Sequence, residues 1–303
     1  MELRPILKGA LTHVPGLYRQ GASAKGGSIE GRYCYAVWGR HLARWQAAGE
    51  RGIPSVVAEL GPGLSFGVGI AALLSGAHEY LALDVARDAK PEVNARLLNE
   101  LAALFAARAR LPESSEFPRL LPRPSVEPDL PDLSPARVEA VRQVLDGAGA
   151  KAGPMMRYLV PWTGGALPVG TADVVVAQAV VEHVEDPGAV YQAMGKLLRT
   201  GGLFSFTIDC TSHGLTRVWN GHLAYPASIW HMVRGARRWT VNRLPVSVHL
   251  DALTASGFDV LVVEREFQDD GLRRSQVAPE VRDLPDEDLR TAGAYVLAQK
   301  VSQ

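Results

Sequence analysis

Short apolar runs alternate with helically spaced apolar residues along most of this chain. The runs with the length of buried strands are 56–60, 80–83, 157–160, 173–179, 203–208, 258–265 and 294–300. Between them, the apolar positions predict helices at about 66–75, 91–110, 134–145, 187–198 and 246–256. Strands that alternate with helices through short connections form a mostly parallel sheet with helices on both faces, so the pattern predicts an α/β fold.

Two helical patterns precede this alternation. The first fifteen residues are amphipathic, and a glycine-rich link at 21–31 leads to a second helix in which Trp38 lies on an apolar stripe. We interpret 1–53 as a helical cap and 54–303 as one large domain. The second helix either packs on that domain or acts as a lid, in which Tyr33 or Trp38 closes over a ligand, and the two interpretations are compatible.

The region 111–153 interrupts the α/β pattern. Seven prolines lie between Pro112 and Pro135, and they exclude regular helix or sheet until Ser134 begins a short helix. Because the strand pattern resumes directly afterwards, we interpret 111–153 as an insertion that covers the substrate side of the domain.

The clearest local unit is the stretch from Val56 to Asp84. It reads as a strand, a turn with Gly61 and Gly63, a small-residue helix that ends at Gly76, and a second strand. This is half of a nucleotide-binding α/β unit. In such sheets ligands bind at the carboxyl ends of the strands, near the switch point. Polar residues fall at these ends in four places, which predicts a site there: 59–63, Asp84, 178–183 and Asp209.

The amino-acid composition limits the kinds of molecule that we expect the chain to bind. The 32 basic and 32 acidic residues cancel, so no net field attracts the chain to nucleic acid or to an anionic membrane. The apolar runs are too short to span a bilayer, and the N-terminus lacks a signal-peptide pattern. Cys34 and Cys210 are too few for a disulfide framework, which favours a reduced cytoplasmic compartment. A small-molecule substrate is expected, and the oligomeric state stays open, with a homodimer as one assembly.

Four segments in order carry a resemblance to a known family. ELGPGLS, ALD, ADVVVAQAVVEHVEDP and LLRTGG together resemble the class I S-adenosylmethionine-dependent methyltransferases. The resemblance covers roughly 54–210 and extends through the ends of the fold to about 300. It implies a Rossmann-like sheet of seven strands with the last one antiparallel, and S-adenosylmethionine as cofactor. The long segment between Asp84 and the third strand departs from the compact family pattern and puts the substrate side in doubt.

The resemblance also implies roles for single residues. The methionine part of the cofactor lies against the turn, where glycine lets the backbone approach closely, and Glu59 suits its ammonium group. Asp84 can accept hydrogen bonds from both ribose hydroxyls. The remaining expected cofactor contacts are two adenine walls, two further turn residues and a stretch beneath the cofactor: Val85 and Trp162; Pro62 and Ser65; Gln178, Ala179 and His183.

Two other classes compete for the same turn. A nicotinamide dinucleotide fingerprint needs a third glycine where Phe66 stands, and a pyrophosphate would be repelled by Glu59. An oxidoreductase is therefore the weaker alternative. A regulatory domain that keeps the fold without catalysis is disfavoured by the intact turn and by Asp84.

The acceptor chemistry is expected in segment 210–250. Methyl transfer to oxygen usually needs a general base, which Asp209 and His213 could supply as orienter and base, whereas a neutral amine needs none. Further segments look similar to methyltransferases of bacterial polysaccharide and natural-product clusters, which implies a sugar or natural-product hydroxyl. The histidine spacing fits no metal motif, so no metal is predicted. The candidate substrate contacts are Tyr33, Trp38, Asn220, His222, Tyr225 and Arg243.

Overall fold

The computed structural model describes residues 1–14, 27–113, 116–117, 124–147, 153–237 and 239–301. Its strands are β1 (Val56–Leu60), β2 (Glu79–Leu83), β3 (Met155–Leu159), β4 (Ala172–Gln178), β5 (Leu198–Asp209), β6 (Phe258–Phe267) and β7 (Thr291–Lys300). Its α-helices are α1 (Leu3–Leu11), α2 (Gly31–Ala47), α3 (Gly67–Ser75), α4 (Pro91–Ala106), α5 (Pro135–Leu145), α6 (Pro187–Leu197), α7 (Ala227–Arg234), α8 (Val246–Ala255) and α9 (Asp286–Arg290).

All seven strands form one sheet in the order β3-β2-β1-β4-β5-β7-β6. The pairs from β3 to β5 are parallel, and β7 runs antiparallel to both β5 and β6. The chain reverses its direction of winding between β1 and β4, which are neighbours in the sheet. A crevice at the carboxyl ends of these strands follows from that reversal, as in other doubly wound sheets.

Successive residues of the central strands face different cores. Val57 and Tyr80 contact a cluster built from α2, α3, α4 and α5, whereas Ala58 and Leu81 contact a cluster that includes α6 and α8. The strands are therefore buried on both faces, which explains why they read as nearly continuous apolar runs. This is the predicted α/β sheet with helices on both sides, and the predicted fold class is confirmed.

The predicted elements differ from the structure mainly at their ends. β5 begins five residues before the expected 203, and α4 ends at Ala106 rather than 110. α6 has the expected N-cap, in which Asp186 accepts a hydrogen bond from Ala189 N at 3.0 Å. The sequence pattern missed α7 and α9. Among the described residues, no helix combines the length and apolarity needed to cross a bilayer.

The N-terminal helices are anchored on the sheet and on segment 210–250. Trp38 is 1% exposed and donates from Nε1 to Ser75 Oγ at 3.0 Å. His41 Nδ1 lies 2.7 Å from the hydroxyl of Ser205 on β5. α1 packs on α7 so closely that a Cβ on Gly9 would lie 1.9 Å from a backbone oxygen of α7. Most of the glycine-rich link, at 21–26, lies outside the described residues.

The described part of the insertion lies on the helix layer beside α3 and α4. α5 begins at Pro135 with Ser134 as its N-cap, and the Ser134 hydroxyl accepts from Arg137 N at 3.2 Å. Arg137 Nε donates to Leu73 O at 2.7 Å, and Val141 is fully buried in the cluster of α3 and α4. These contacts fix α5 to the outer face of the sheet.

Candidate active site

A groove of about 640 Å³ opens at the carboxyl ends of β1, β2 and β4. Its walls come from the turn after β1, the end of β2, the loop after β3 and the turn between β4 and α6. None of the described residues of the insertion lines it. The predicted cofactor residues that line the groove are Gly61, Gly63, Asp84, Val85, Trp162, Ala179 and His183.

The floor of the groove is the glycine turn. Gly61 and Gly63 both have φ of +69°, which glycine adopts without steric cost. Gly61 N donates to Leu83 O at 2.8 Å, and a Cβ on Gly61 would lie 2.8 Å from both methyl carbons of Val180. Position 61 therefore requires glycine for its backbone conformation and for its close approach to the turn after β4.

Asp84 ends β2 and holds the turn through its carboxylate. It accepts hydrogen bonds from Gly63 N at 3.2 Å, from Val85 N at 2.7 Å and from Ala86 N at 3.2 Å. Burial raises the pKa of Asp84 above its usual value, and these three backbone donors oppose that shift. A carboxylate has about four lone-pair sites, so one remains to receive a ligand hydroxyl from the groove.

Four other expected cofactor residues do not line the groove: Glu59, Pro62, Ser65 and Gln178. Glu59 is 6% exposed and accepts a 2.5 Å hydrogen bond from Tyr80 OH. Burial raises its pKa to about 8, since the Tyr80 hydrogen bond offsets only part of the desolvation. Ser65 accepts from Gly67 N at 3.1 Å. The polar groups of Glu59 and Ser65 are thus used in hydrogen bonds inside the fold.

Four polar side chains lie close together beside the groove, which His183 lines, and we call them the polar cluster: Glu182, His183, Asp209 and His213. His213 Nε2 lies 3.4 Å from Asp209 Oδ2 and 3.8 Å from Glu182 Oε1. The rings of His183 and His213 contact edge to face at 4.9 Å between centroids. The turn after β4 supplies Glu182 and His183, and the end of β5 with its following loop supplies the other two.

The pKa values of the two carboxyl groups in the polar cluster are shifted in opposite directions. Burial disfavours the ionised form of Asp209, but the hydrogen bonds and charge of His213, with Thr211, outweigh it and lower the pKa below its usual range. Burial raises the pKa of Glu182 well above its usual value. Neither Glu182 oxygen makes a well-formed hydrogen bond within the described chain. The surroundings therefore favour the ionised form of Asp209 and disfavour the ionised form of Glu182.

A small inner cavity of about 30 Å³ lies behind the polar cluster. Of the predicted substrate residues, His222 and Arg243 line it. Burial lowers the pKa of His222 to about 3, helped by the charge of Arg243, and its Nδ1 has no partner in the described chain. The Arg243 guanidinium lies 5.0 Å from the centre of the Trp230 ring. This cavity therefore has a polar wall with hydrogen-bonding groups still unused.

The structure places the other predicted substrate residues away from both spaces. Asn220 is fully buried, accepts from Leu272 N at 2.7 Å and donates to Leu289 O at 3.3 Å. Tyr225 donates to Glu2 O at 2.8 Å. Both side chains tie together segments of the fold. Tyr33 contacts Phe117 edge to face at 5.5 Å, and the burial of Trp38 agrees with the packing interpretation of α2.

Sequence reasoning missed Glu182 and Asn242. Asn242 N donates to Glu182 O at 2.6 Å, and its Nδ2 donates to Val181 O and Val184 O, both at 2.9 Å. It therefore fixes the turn that carries Glu182 and His183. The Glu-His pair at a strand end was a visible signal for the first residue, but nothing local connects Asn242 to that turn.

Comparison with known proteins finds a family match for the middle of the chain. A family model described as a methyltransferase domain matches residues 130–206, which include β3, β4 and α6. A search of curated proteins finds no match.

The structure is similar to solved methyltransferase structures at low identity. An S-adenosylmethionine-dependent methyltransferase from Mesorhizobium loti is 17% identical, with 85% of this chain and 98% of that chain covered and a TM-score of 0.43. One from Methanosarcina mazei is 11% identical, with 84% and 95% covered and a TM-score of 0.44. A Haemonchus contortus phosphoethanolamine N-methyltransferase 2 in complex with S-adenosyl-L-methionine is 12% identical, with 90% of this chain and 57% of that chain covered and a TM-score of 0.45.

The family match and the sheet agree with each other. The matched residues carry the strand and turn that form one wall of the groove, and the seven-stranded sheet has the antiparallel last strand that the sequence resemblance implied. Residues 130–206 of the chain therefore match a methyltransferase domain, and the sheet that contains them has the α/β fold that the resemblance implied.

Proposed function

We propose that the protein is an S-adenosylmethionine-dependent methyltransferase that transfers the methyl group to a hydroxyl of a small polar acceptor, such as a sugar or a natural product. The observation that carries the proposal is the polar cluster, which lies between the groove and the inner cavity. An acceptor held there has a proton-accepting group within reach, as an alcohol requires.

The cofactor assignments rest on where the groove residues lie. The methionine part lies against Gly61 and Gly63, and a ribose hydroxyl binds the remaining lone pair of Asp84. Val85 and Trp162 line the groove beyond Asp84 and form the adenine walls. His183 and Ala179 lie on the opposite wall and contact the cofactor on the side of the acceptor.

The proposed reaction is an in-line displacement. The acceptor oxygen attacks the methyl carbon while the bond from that carbon to sulfur breaks, and the sulfonium becomes a neutral thioether. The acceptor's proton passes to the imidazole of His213, and Asp209, whose Oδ2 lies 3.4 Å from His213 Nε2, stabilises the imidazolium that forms. Positioning of the two reactants supplies the rest of the rate enhancement.

The surroundings of the site bear on the partners. Formal net charge is zero, and both cysteines are free thiols. We therefore favour a small-molecule acceptor in the cytoplasm over nucleic acid or a membrane surface. α1 packs on α7, so the N-terminal helices would act as a fixed cap beside the acceptor segment 210–250.

The test is an acceptor screen with methyl-labelled S-adenosylmethionine. The panel pairs each sugar or natural-product alcohol with its amine analogue of the same skeleton. We expect label in alcohols and little in the paired amines. Preferential labelling of amines would replace the proposal with N-methylation, and absence of cofactor binding by calorimetry would contradict the assigned groove.

A further inference from the structure

We infer that Glu182, His183 and His213 form a binding site for a divalent transition-metal cation. One potential ligand atom from each of the three lies within 4.8 Å of the other two. Two imidazole nitrogens and a carboxylate oxygen that converge at this separation can coordinate one ion between them. The spacing of the histidines along the chain does not indicate this site, because His183 and His213 come together only through the packing of two loops.

The buried carboxyl of Glu182 is an independent indication of a cation. Glu182 is 2% exposed, and both of its oxygens lack a well-formed hydrogen bond in the described chain. The backbone amides of Glu182 and Asp209 approach the group, and His213 Nε2 is 3.8 Å away. A buried polar group without partners is costly, and a bound ion is one of the few arrangements that satisfies it.

His183 is oriented as a metal ligand. The backbone of Thr240 hydrogen-bonds this imidazole, whereas its Nδ1 is buried and has no partner in the described chain. The Thr240 bond therefore falls to Nε2, which carries the proton and leaves the lone pair of Nδ1 free. A ligand histidine that donates its other N–H to a backbone carbonyl is the usual arrangement in metal sites.

The donor set indicates the kind of ion. Two imidazoles and one carboxylate suit Mn²⁺, Fe²⁺, Co²⁺ or Zn²⁺ better than Mg²⁺ or Ca²⁺, which prefer oxygen ligands alone. The negative charge of Asp209, 3.4 Å from His213 Nε2, adds to the attraction. Three protein ligands leave positions open, and the side chain of His213 is 30% exposed, so an acceptor oxygen could complete the coordination from the groove.

This cation site stands on geometry alone, but its use in catalysis rests on the proposed O-methylation. A cation that binds the acceptor hydroxyl lowers its pKa and stabilises the alkoxide that attacks the methyl group. His213 is then a ligand and no longer accepts the proton, which passes to water. The imidazole of His213 therefore has one role in the protein with the ion bound and another in the protein without it.

The experiment is calorimetric titration of Mn²⁺, Co²⁺ and Zn²⁺ into the untagged, chelator-treated full chain, with Co²⁺ binding also followed by visible absorption. We expect one ion per chain. Glu182→Gln and His213→Gln should each weaken binding by about 100-fold. His213 is partly exposed, so its variant keeps the proposal testable if the Glu182 variant does not fold. His78→Gln, a change at an exposed histidine, serves as the control.

The outcomes separate this inference from the proposed function. Equal metal affinity in wild type and both variants, or no binding by a protein that still binds S-adenosylmethionine, would overturn the cation site. Metal binding that depends on both residues, in a protein that methylates no alcohol, would sustain the site and contradict the proposed O-methylation. Activity that survives chelation but is lost in His213→Gln would assign His213 the base role.

Discussion

The groove and the polar cluster lie side by side but are built in different ways. The groove is formed by backbone turns, and its carboxylate, Asp84, is held by three backbone N–H groups. The polar cluster and the inner cavity are formed by side chains. Several of these carry buried atoms with no hydrogen-bond partner in the described chain, namely both carboxyl oxygens of Glu182, Nδ1 of His183, Nδ1 of His222 and Nε of Arg243. The groove is preorganised before any ligand arrives, whereas the unpartnered polar atoms of the polar cluster and the inner cavity need a ligand to satisfy them.

The largest expected effect is on turnover, from the acceptor side. His213→Gln should lower kcat by about 100-fold, because either a base or a metal ligand is lost. Cofactor affinity should hardly change, since the groove backbone does not depend on this side chain. Single-turnover methylation and calorimetry measure the two quantities. Full activity would remove His213 from the chemistry, and parallel loss of cofactor binding would contradict the division between the two regions.

The second prediction tests whether cofactor binding in the groove depends on the close approach of the Gly61 backbone to Val180. Gly61→Ala should weaken S-adenosylmethionine binding by about 30-fold, because alanine is strained at positive φ and its Cβ would meet Val180. Gly49→Ala is the matched control, since Gly49 also has a positive φ but no atom within 4 Å of a Cβ. Calorimetry and thermal melting of both variants separate strain from contact. Equal behaviour of the two would mean that the approach to Val180 is unimportant.

A smaller loss is expected from the ribose contact. Asp84→Ala should weaken cofactor binding about tenfold through loss of charge-assisted hydrogen bonds. Asp88→Ala removes the same charge at the groove and provides the control. Affinity that is unchanged in the Asp84 variant, or reduced equally in both, would withdraw the ribose assignment and leave Asp84 as a support of the turn.

The smallest effect concerns stability and lies away from both regions. Burial lowers the pKa of His41 from 6.5 to about 3. Between these values the unfolded chain binds a proton that the folded chain does not. The contribution of His41 to the free energy of unfolding is therefore largest above pH 6.5 and decreases as the pH is lowered. The slope from one such group is about 1.4 kcal/mol per pH unit.

His41→Gln should therefore flatten the acid side of the stability curve. The substitution His249→Gln tests a second buried histidine, which lies in the other core and whose pKa burial lowers to about 4. Urea unfolding between pH 4 and pH 8 measures the slope. A slope that neither substitution changes would show that these two histidines do not carry the acid sensitivity.

The two regions also differ in how well the sequence predicts them. The turn and Asp84 were predictable because strand, turn and acid are contiguous, and the apolar runs located all seven strands. The polar cluster was harder, since the contact between Glu182 and His213 depends on how two loops from adjacent strands pack. Asn220 and Tyr225 resemble pocket residues in sequence, yet their hydrogen bonds are used inside the fold.

One hydroxyl in the middle of the sheet links distant parts of the chain. Ser205 Oγ lies 2.7 Å from His41 Nδ1 on α2 and 2.9 Å from Tyr295 OH on β7. The N-terminal helix and the last strand thus meet in the core through a single residue of β5. Removal of residues 1–53 would not yield a smaller enzyme, because it would expose the core that α2 covers and leave this network without its histidine.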